Sequence, residues 1–375
     1  MLIKVIGRLL MVIVGLCVGL VVIEIGLRVL NKPHPERSGW KMVFPDATEE
    51  NQLGFRGKPI EYSDDDFVIV LLGDSQVEAV ACSYEWMPER RLEHYLNSTG
   101  GRVRVFTVGA GAYGQDQELL ALQEYLKSYR ADLVVLWETP TNDIWNNVFP
   151  TNYPTDGWPK PTFWLENGEL RGPTEQLNAP IRETSRLKLE LLWHRWSKVS
   201  RDKQWEKILP STYTPISSPD GPVRDDFQSW WNTNARSMRS ENLDNEKSHL
   251  AIYLTPRSDR MQYGLDLTRK LLHEIDDVTR LQGGKFAIFA TDVSAKEAVQ
   301  LEGLHVLKGK YYRTSAAQYQ ENIGYVNGGF DFMTIPVTVD PWRVGPENPH
   351  LNEHATDKMM SDLAERIKRL VPMSK

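Results

Sequence analysis

Phe67-Val68-Ile69-Val70-Leu71-Leu72-Gly73-Asp74-Ser75 is the stretch whose reading decides the fold. It is a short apolar run, rich in β-branched residues, that stops at a glycine. Such a run reads as a strand buried on both faces, as in a parallel sheet. Working outward, Trp86 to Asn97 reads as a helix and Arg102 to Val108 as a second strand. Gln115 to Tyr129 follows as a helix, with Leu119, Leu120, Leu122 and Tyr125 marking a face, and Asp132 to Trp137 is a third strand. Strand and helix in alternation predict a parallel sheet covered by helices. The rhythm breaks from about residue 146 to 250, where Tyr153-Pro154 and Trp158-Pro159-Lys160-Pro161 stand and Arg186 to Lys198 reads as an amphipathic helix. It resumes with a helix over Tyr263 to Leu281, a strand over Lys285 to Ala290 and a helix over Asn352 to Val371. The simplest account is one α/β domain over residues 66–375, a three-layer sandwich with a parallel sheet, carrying a long insertion at about 146–250. No internal repeat is visible.

Composition sets the outer limits. The chain has 375 residues, 41% hydrophobic and 25% charged, ordinary for a globular protein and far from a disordered chain or a polytopic transporter. Its net charge of −6, with no basic block, argues against a nucleic-acid partner. Its two cysteines, Cys17 and Cys82, are too few for a thiolate metal cluster or a disulfide framework. No metal site is visible in the sequence, and no cofactor is expected. Cys82 reads as a small buried hydrophobe. The 12 tryptophans and 14 tyrosines suit the faces of sugar rings, although aromatics more often pack in cores.

Residues 1–33 form a separate unit. Leu9 to Ile23 is an unbroken apolar run that continues through Glu24 and Arg28 to Leu30, long enough as a helix to cross a bilayer. Glu24 and Arg28 stand i, i+4 and can partly neutralise each other. A cleaved signal peptide would need a small-residue cleavage site, and none follows the run. A lipoprotein reading would use Cys17, but Leu16 stands where a small residue is expected. A retained signal anchor fits best. Lys4 and Arg8 precede the span and Arg28, Lys32, Arg37 and Lys41 follow it, so charge does not fix its orientation. Residues 34–65 read as a polar linker and approach segment.

Four short blocks carry chemistry. Gly73-Asp74-Ser75 follows the first strand, where open α/β sheets place ligands; the plain alternative is a capped turn. Thr107-Val108-Gly109-Ala110-Gly111-Ala112-Tyr113-Gly114 follows the second, with small residues that let backbone N–H groups approach a ligand; a tight strand–helix turn would look the same. Thr141-Asn142-Asp143 follows the third, where the Asn142 amide could donate to an oxyanion or simply form an Asx turn. Pro349-His350-Leu351-Asn352 precedes the last helix, where a histidine can serve a serine as general base or lie solvated in a loop. A parallel sheet would bring all four to one edge. His354, Arg257 and Asp259 read as structural or surface residues, and Gly283-Gly284 as a turn.

In that order the blocks resemble the SGNH (GDSL-like) hydrolase family over about residues 51–142 and 285–375. The resemblance implies that Ser75 is the nucleophile, His350 the base and Asn142 an oxyanion donor, beside the backbone N–H groups of Ser75 and of Ala112 or its neighbour Gly111. Two positions depart from the family pattern. Ala112 stands where a glycine is expected, and Glu347 stands three residues before the histidine where an aspartate is usual. Asp340 is the alternative acid, and Asp74 and Asp143 are candidate supporting residues. Asn51-Gln52-Leu53-Gly54-Phe55-Arg56-Gly57 resembles the approach segment of membrane-anchored bacterial members of the alginate-acetylation type. The resemblance therefore implies a single-pass inner-membrane protein with its bulk in the periplasm, acting on acylated, chiefly acetylated, carbohydrate of an envelope or exported polysaccharide. Polysaccharide-assembly proteins are the implied partners. Ester hydrolysis, O-acyl transfer and an inactive glycan-binding scaffold remain open from sequence.

Overall fold

The structure is a computed structural model describing residues 2–30, 36–38, 41–43, 49–98, 100–152, 158–173, 189, 209, 213–224, 243–292, 302–345 and 348–371. Five strands form the central sheet: β1 (Phe67–Gly73), β2 (Val103–Gly109), β3 (Leu133–Glu138), β4 (Lys285–Asp292) and β5 (Phe332–Pro336). All pair in parallel, in the order β2-β1-β3-β4-β5. This is the flavodoxin-like doubly wound order. Its direction of winding reverses between β1 and β3, which opens a crevice beyond their C-terminal ends.

Side-chain alternation explains why the sheet lies between two helix layers. Val68, Val70 and Leu72 of β1 point into a core shared with α4 (Gln115–Leu126), α5 (Pro140–Val148), α6 (Asp259–Leu281) and α7 (Ala316–Asn327). Phe67, Ile69 and Leu71 point the other way, against α3 (Pro88–Asn97) and α8 (Glu353–Leu370). Every residue of β1 is buried, so the run has no polar face to alternate with. Each such aliphatic side chain contributes roughly 1.5–3 kcal/mol by leaving water.

Several predicted bounds move for local reasons. The helix expected from Trp86 begins at Pro88, whose missing N–H costs nothing at a first helical position; Tyr84–Trp86 is a 3-10 turn before it. Pro140 likewise opens α5, so Asn142 and Asp143 lie in the first turn of a helix, not in an Asx turn. The edge strand β5, α7, and the antiparallel pair Gly303–Leu307 and Lys310–Thr314 were not expected from sequence. In β5 only Ile335 is buried and the strand ends on a proline, so its apolar signal is faint, as edge strands allow. Cys82 is buried and His354 lies on α8, as expected. The helix expected over Arg186–Lys198 lies outside the described residues, apart from Leu189.

The N-terminal helix α1 (Leu2–Leu30) contains the one span among the described residues long and apolar enough to cross a membrane, Val5–Val29, with mean hydropathy 2.7. A signal sequence has the same features. Within it, Arg28 Nε donates to Glu24 Oε1 at 2.7 Å, the expected i, i+4 pairing.

The Pro- and Trp-rich stretch after α5 is tied to the sheet layers by a buried charge. Lys160 and Asp116, at the start of α4, form an ion pair with both side chains fully buried. Burial pushes the Lys160 ammonium down and the Asp116 carboxyl up, and each is pulled back by the other. Removing one partner strands the other in an apolar setting. Lys160→Met is therefore expected to lower unfolding free energy by about 3–5 kcal/mol in denaturant titration, and Lys160→Met with Asp116→Leu to recover most of that loss.

Candidate active site

The turn that carries Ser75 is built by the end of β1. Asp74 N-caps the single-turn helix α2 (Ser75–Glu78), its Oδ1 accepting the Gln76 backbone N–H at 2.9 Å. Gly73 pairs with Gly109 at the ends of β1 and β2, and a Cβ on Gly109 would fall 2.1 Å from the Gly73 carbonyl oxygen. Glycine is required there because the two strand ends approach too closely for any side chain.

The approach segment braces this turn from below. Asn51 Oδ1 accepts the N–H groups of Leu53 and Phe55, closing a tight loop, and its Nδ2 donates to the Thr107 carbonyl of β2 at 3.0 Å. The Arg56 guanidinium then donates to the carbonyls of Glu78, Ala79 and Cys82, which are the C-terminal end of α2 and the turn after it. A helix end leaves these carbonyls without intrahelical partners, so a cation is favoured there. Phe55 and Ile60 are buried in the main core, so this part of the segment is structural and not merely a tether.

His350 reaches the same point from 275 residues away in sequence. A short hairpin, Arg343–Gly345 with Asn348–Leu351, delivers it, and Asn352 caps α8 directly behind. His350 Nε2 lies 2.8 Å from Ser75 Oγ. Its Nδ1 lies 2.6 Å from Asn348 Oδ1, and its own backbone N–H donates to that same atom at 3.2 Å. An atom that receives a backbone N–H must be the amide oxygen, which can only accept. Nδ1 therefore carries the ring proton, and Nε2 presents its lone pair to the serine hydroxyl. Burial pushes the His350 imidazole below its ordinary value of 6.5, and the Asp74 carboxylate partly offsets this. The ring is thus neutral and basic near pH 7.

Asn142 is brought to Asp74 by the first turn of α5. Its Nδ2 donates to Asp74 Oδ2 at 2.8 Å, and the Trp145 indole N–H reaches its Oδ1 at 3.4 Å. A carboxylate only accepts and an indole N–H only donates, so the amide's orientation is fixed. One amide N–H remains beyond the bond to Asp74.

The other expected residues fall differently. Ala112 adopts the left-handed backbone conformation, φ 62°, which accounts for a glycine being the natural occupant of that position. The Gly111 N–H is committed to Glu78 Oε2 at 2.7 Å, which corrects its reading as an oxyanion donor. Asp340 is exposed, and the described partner of the His350 Nδ1–H is Asn348, not Asp340. Glu347 lies outside the described residues. Asp143 is fully buried; its Oδ2 accepts the Gln115 amide at 2.7 Å and the Thr139 N–H at 2.8 Å, so it braces the start of α5.

Behind Asp74 lies a group of buried acids that the sequence did not announce. Glu118 and Asp143 are held well above the usual carboxyl range, first by burial and then by neighbouring carboxyls that include Asp74 and Glu138. Burial pushes Glu138 up to about 7. A polar start to a helix, as in Gln115-Asp116-Gln117-Glu118, normally signals a solvated end, and nothing in the sequence marks this one as buried.

No protein-family model matches this sequence, and no curated protein is significantly similar to it. Solved structures with a similar chain path include an esterase from Pseudoalteromonas sp., 8% identical, covering 81% of this chain and 98% of that one, with a TM-score of 0.35. They also include an acetyl xylan esterase from Butyrivibrio proteoclasticus, 10% identical, covering 84% of this chain and 67% of that one, with a TM-score of 0.33. A carbohydrate acetylesterase from Sinorhizobium meliloti is 9% identical and covers 81% of this chain and 99% of that one, with a TM-score of 0.33.

The Ala112 conformation has a measurable consequence. A left-handed alanine is disfavoured by roughly 1–2 kcal/mol, from which the extra freedom of glycine in the unfolded chain subtracts part. Ala112→Gly is expected to raise the unfolding midpoint by the equivalent of up to about 1 kcal/mol in denaturant titration.

Proposed function

We propose that this chain is a serine esterase that removes acyl groups, chiefly acetyl, from an envelope or exported polysaccharide, held at the membrane by α1 with its bulk outside the cytoplasm. The observation that carries the reading is the Ser75 Oγ to His350 Nε2 contact of 2.8 Å, with the opposite ring nitrogen already committed. A serine and an imidazole in this relation, at the crevice of a doubly wound sheet, form an activated nucleophile. The four-block order that resembles the SGNH family, and the approach segment bracing the nucleophile turn, support the same class.

In this reading Ser75 Oγ attacks the ester carbonyl carbon while His350 Nε2 takes the hydroxyl proton. The oxyanion is received by the backbone N–H groups of Ser75 and Ala112 and by the second N–H of Asn142. The C–O bond to the sugar then breaks, and His350 returns its proton to the departing sugar oxygen. Water, deprotonated by the same Nε2, attacks the acyl-serine and releases the acid and Ser75. A sugar hydroxyl in place of that water would make the reaction an acyl transfer.

The test is p-nitrophenyl acetate hydrolysis by the full chain in detergent, alongside acetate release from an acetylated glycan. Ser75→Ala and His350→Ala are each expected to abolish turnover while remaining folded. Asn142→Ala is expected to lower kcat by about 100- to 1000-fold, the usual cost of one oxyanion donor. Acyl appearing on an added glycan instead of in water would reassign the reaction to transfer. Glycan binding by a folded wild type with neither activity would reassign the chain to a scaffold.

A further inference from the structure

The residue beside His350 poses an electrostatic problem. When Nε2 takes the serine proton, the half-buried ring becomes a cation. A carboxylate partner would offset that charge, but Asn348 is a neutral amide and can only orient the ring. The carboxylate whose charge acts on the ring comes from another part of the chain. Asp74 follows β1 directly, one residue before the serine whose oxygen touches the ring, and its side chain is almost wholly buried. Each of its oxygens accepts an N–H, from Gln76 and from Asn142, and such bonds favour the ionised carboxylate.

Resting on the serine-esterase reading above, we infer that the partner of His350 is split in two: Asn348 fixes the ring tautomer, and the Asp74 carboxylate, which also orients the Asn142 amide, supplies the charge against which the imidazolium forms. Asp74 and Asn348 are positioning residues in this scheme; neither touches the ester.

The surrounding charges agree with it. Glu118 from α4 and Asp143 from α5 also face Asp74, but both are held well above the usual carboxyl range, first by burial and then by their neighbouring carboxyls. Asp74 is itself pushed up by burial but drawn back by Gln76, His350 and Asn142, in that order. On the histidine's side, Glu353 of α8 is occupied by Ser83, and Arg343 of the hairpin lies over the Trp342 ring. Glu347 is the rival acid and is tested directly.

The acidic limb of the kcat/KM profile reports the His350 base of the free enzyme, which must be neutral to act. Removing the Asp74 charge removes the influence that raises the ring's pKa, so activity should persist to lower pH although its plateau falls. Asp74→Asn is expected to move the acidic limb down by about 1 unit or more in p-nitrophenyl acetate hydrolysis. Asp74→Ser keeps an N-cap acceptor for Gln76 and should move the limb the same way, which covers failure of the first variant to fold. Asn348→Asp adds a full charge at Nδ1 and should move the limb up. Asn348→Ala should lower the plateau at least about 10-fold through loss of the correct tautomer. Glu347→Gln should leave both limb and plateau within about 3-fold of wild type.

An unmoved or raised limb in folded Asp74→Asn and Asp74→Ser overturns the division. So does a Glu347→Gln protein as inactive as Ser75→Ala beside a normal Asn348→Ala. A folded wild type with no turnover on any acyl ester fails earlier: it overturns the esterase reading and this inference with it.

Discussion

Parallel pairing of β1 with β2 on one side and β3 on the other is the constraint on which the site depends. It forces three loops that leave these strands to emerge at one edge, and the reversal of winding between β1 and β3 leaves a gap there. Ser75 leaves β1, the small-residue loop leaves β2, and Asn142 leaves β3 by way of α5. Only His350 needs separate delivery. It receives it from a hairpin anchored by the buried Leu351 and by the Asn352 cap on α8. The hydrogen-bonded strand ends cannot shift without breaking the sheet, so Ser75 and Asn142 are held in place by the sheet itself.

The polar groups beneath the crevice follow one electrostatic rule: charge is kept only where something answers it. Lys160 and Asp116 answer each other. Asp74 is answered by two N–H donors and by the ring of His350. Glu118, with no hydrogen-bond donor among the described residues, and Asp143, with two donors but other carboxyls beside it, are pushed toward their neutral forms. Asp74 adjoins Ser75 in the chain and accepts the Asn142 amide, and its charge acts on the ring of His350. Arg56 works on the other end of the same turn, binding the carbonyls that α2 leaves open. The approach segment thereby braces the turn that carries Ser75.

Much of this was legible in the sequence, for physical reasons that differ by element. β1 could be read because a strand buried on both faces is uniformly apolar, and the alternation around it gave the sheet and its layers. β5 could not, because an edge strand with one buried side chain leaves almost no pattern. Pro140 makes the segment after β3 a helix start, because its missing N–H suits a first helical position. The order of Ser75, Asn142 and His350 along the chain is legible, and parallel topology turns that order into nearness. The neighbour of the histidine was sought by spacing, as Glu347 or Asp340. The Asx-type closure of Asn348 onto His350 depends on side-chain geometry that spacing does not encode. Ala112 gave no hint of a left-handed backbone, because alanine rarely adopts one. The buried acids gave none either, since burial of a helix start is decided by the whole fold.

The most direct test of the account is whether Ser75 alone, of all the serines, is a nucleophile. The full-length protein would be treated with an alkyl fluorophosphonate and the adduct located by peptide mass spectrometry, with His350→Ala as the comparison. The account expects one phosphonyl group per chain, on Ser75, formed rapidly in wild type and far more slowly without the histidine. Labelling that is absent, spread over several serines, or equally fast in His350→Ala would contradict it.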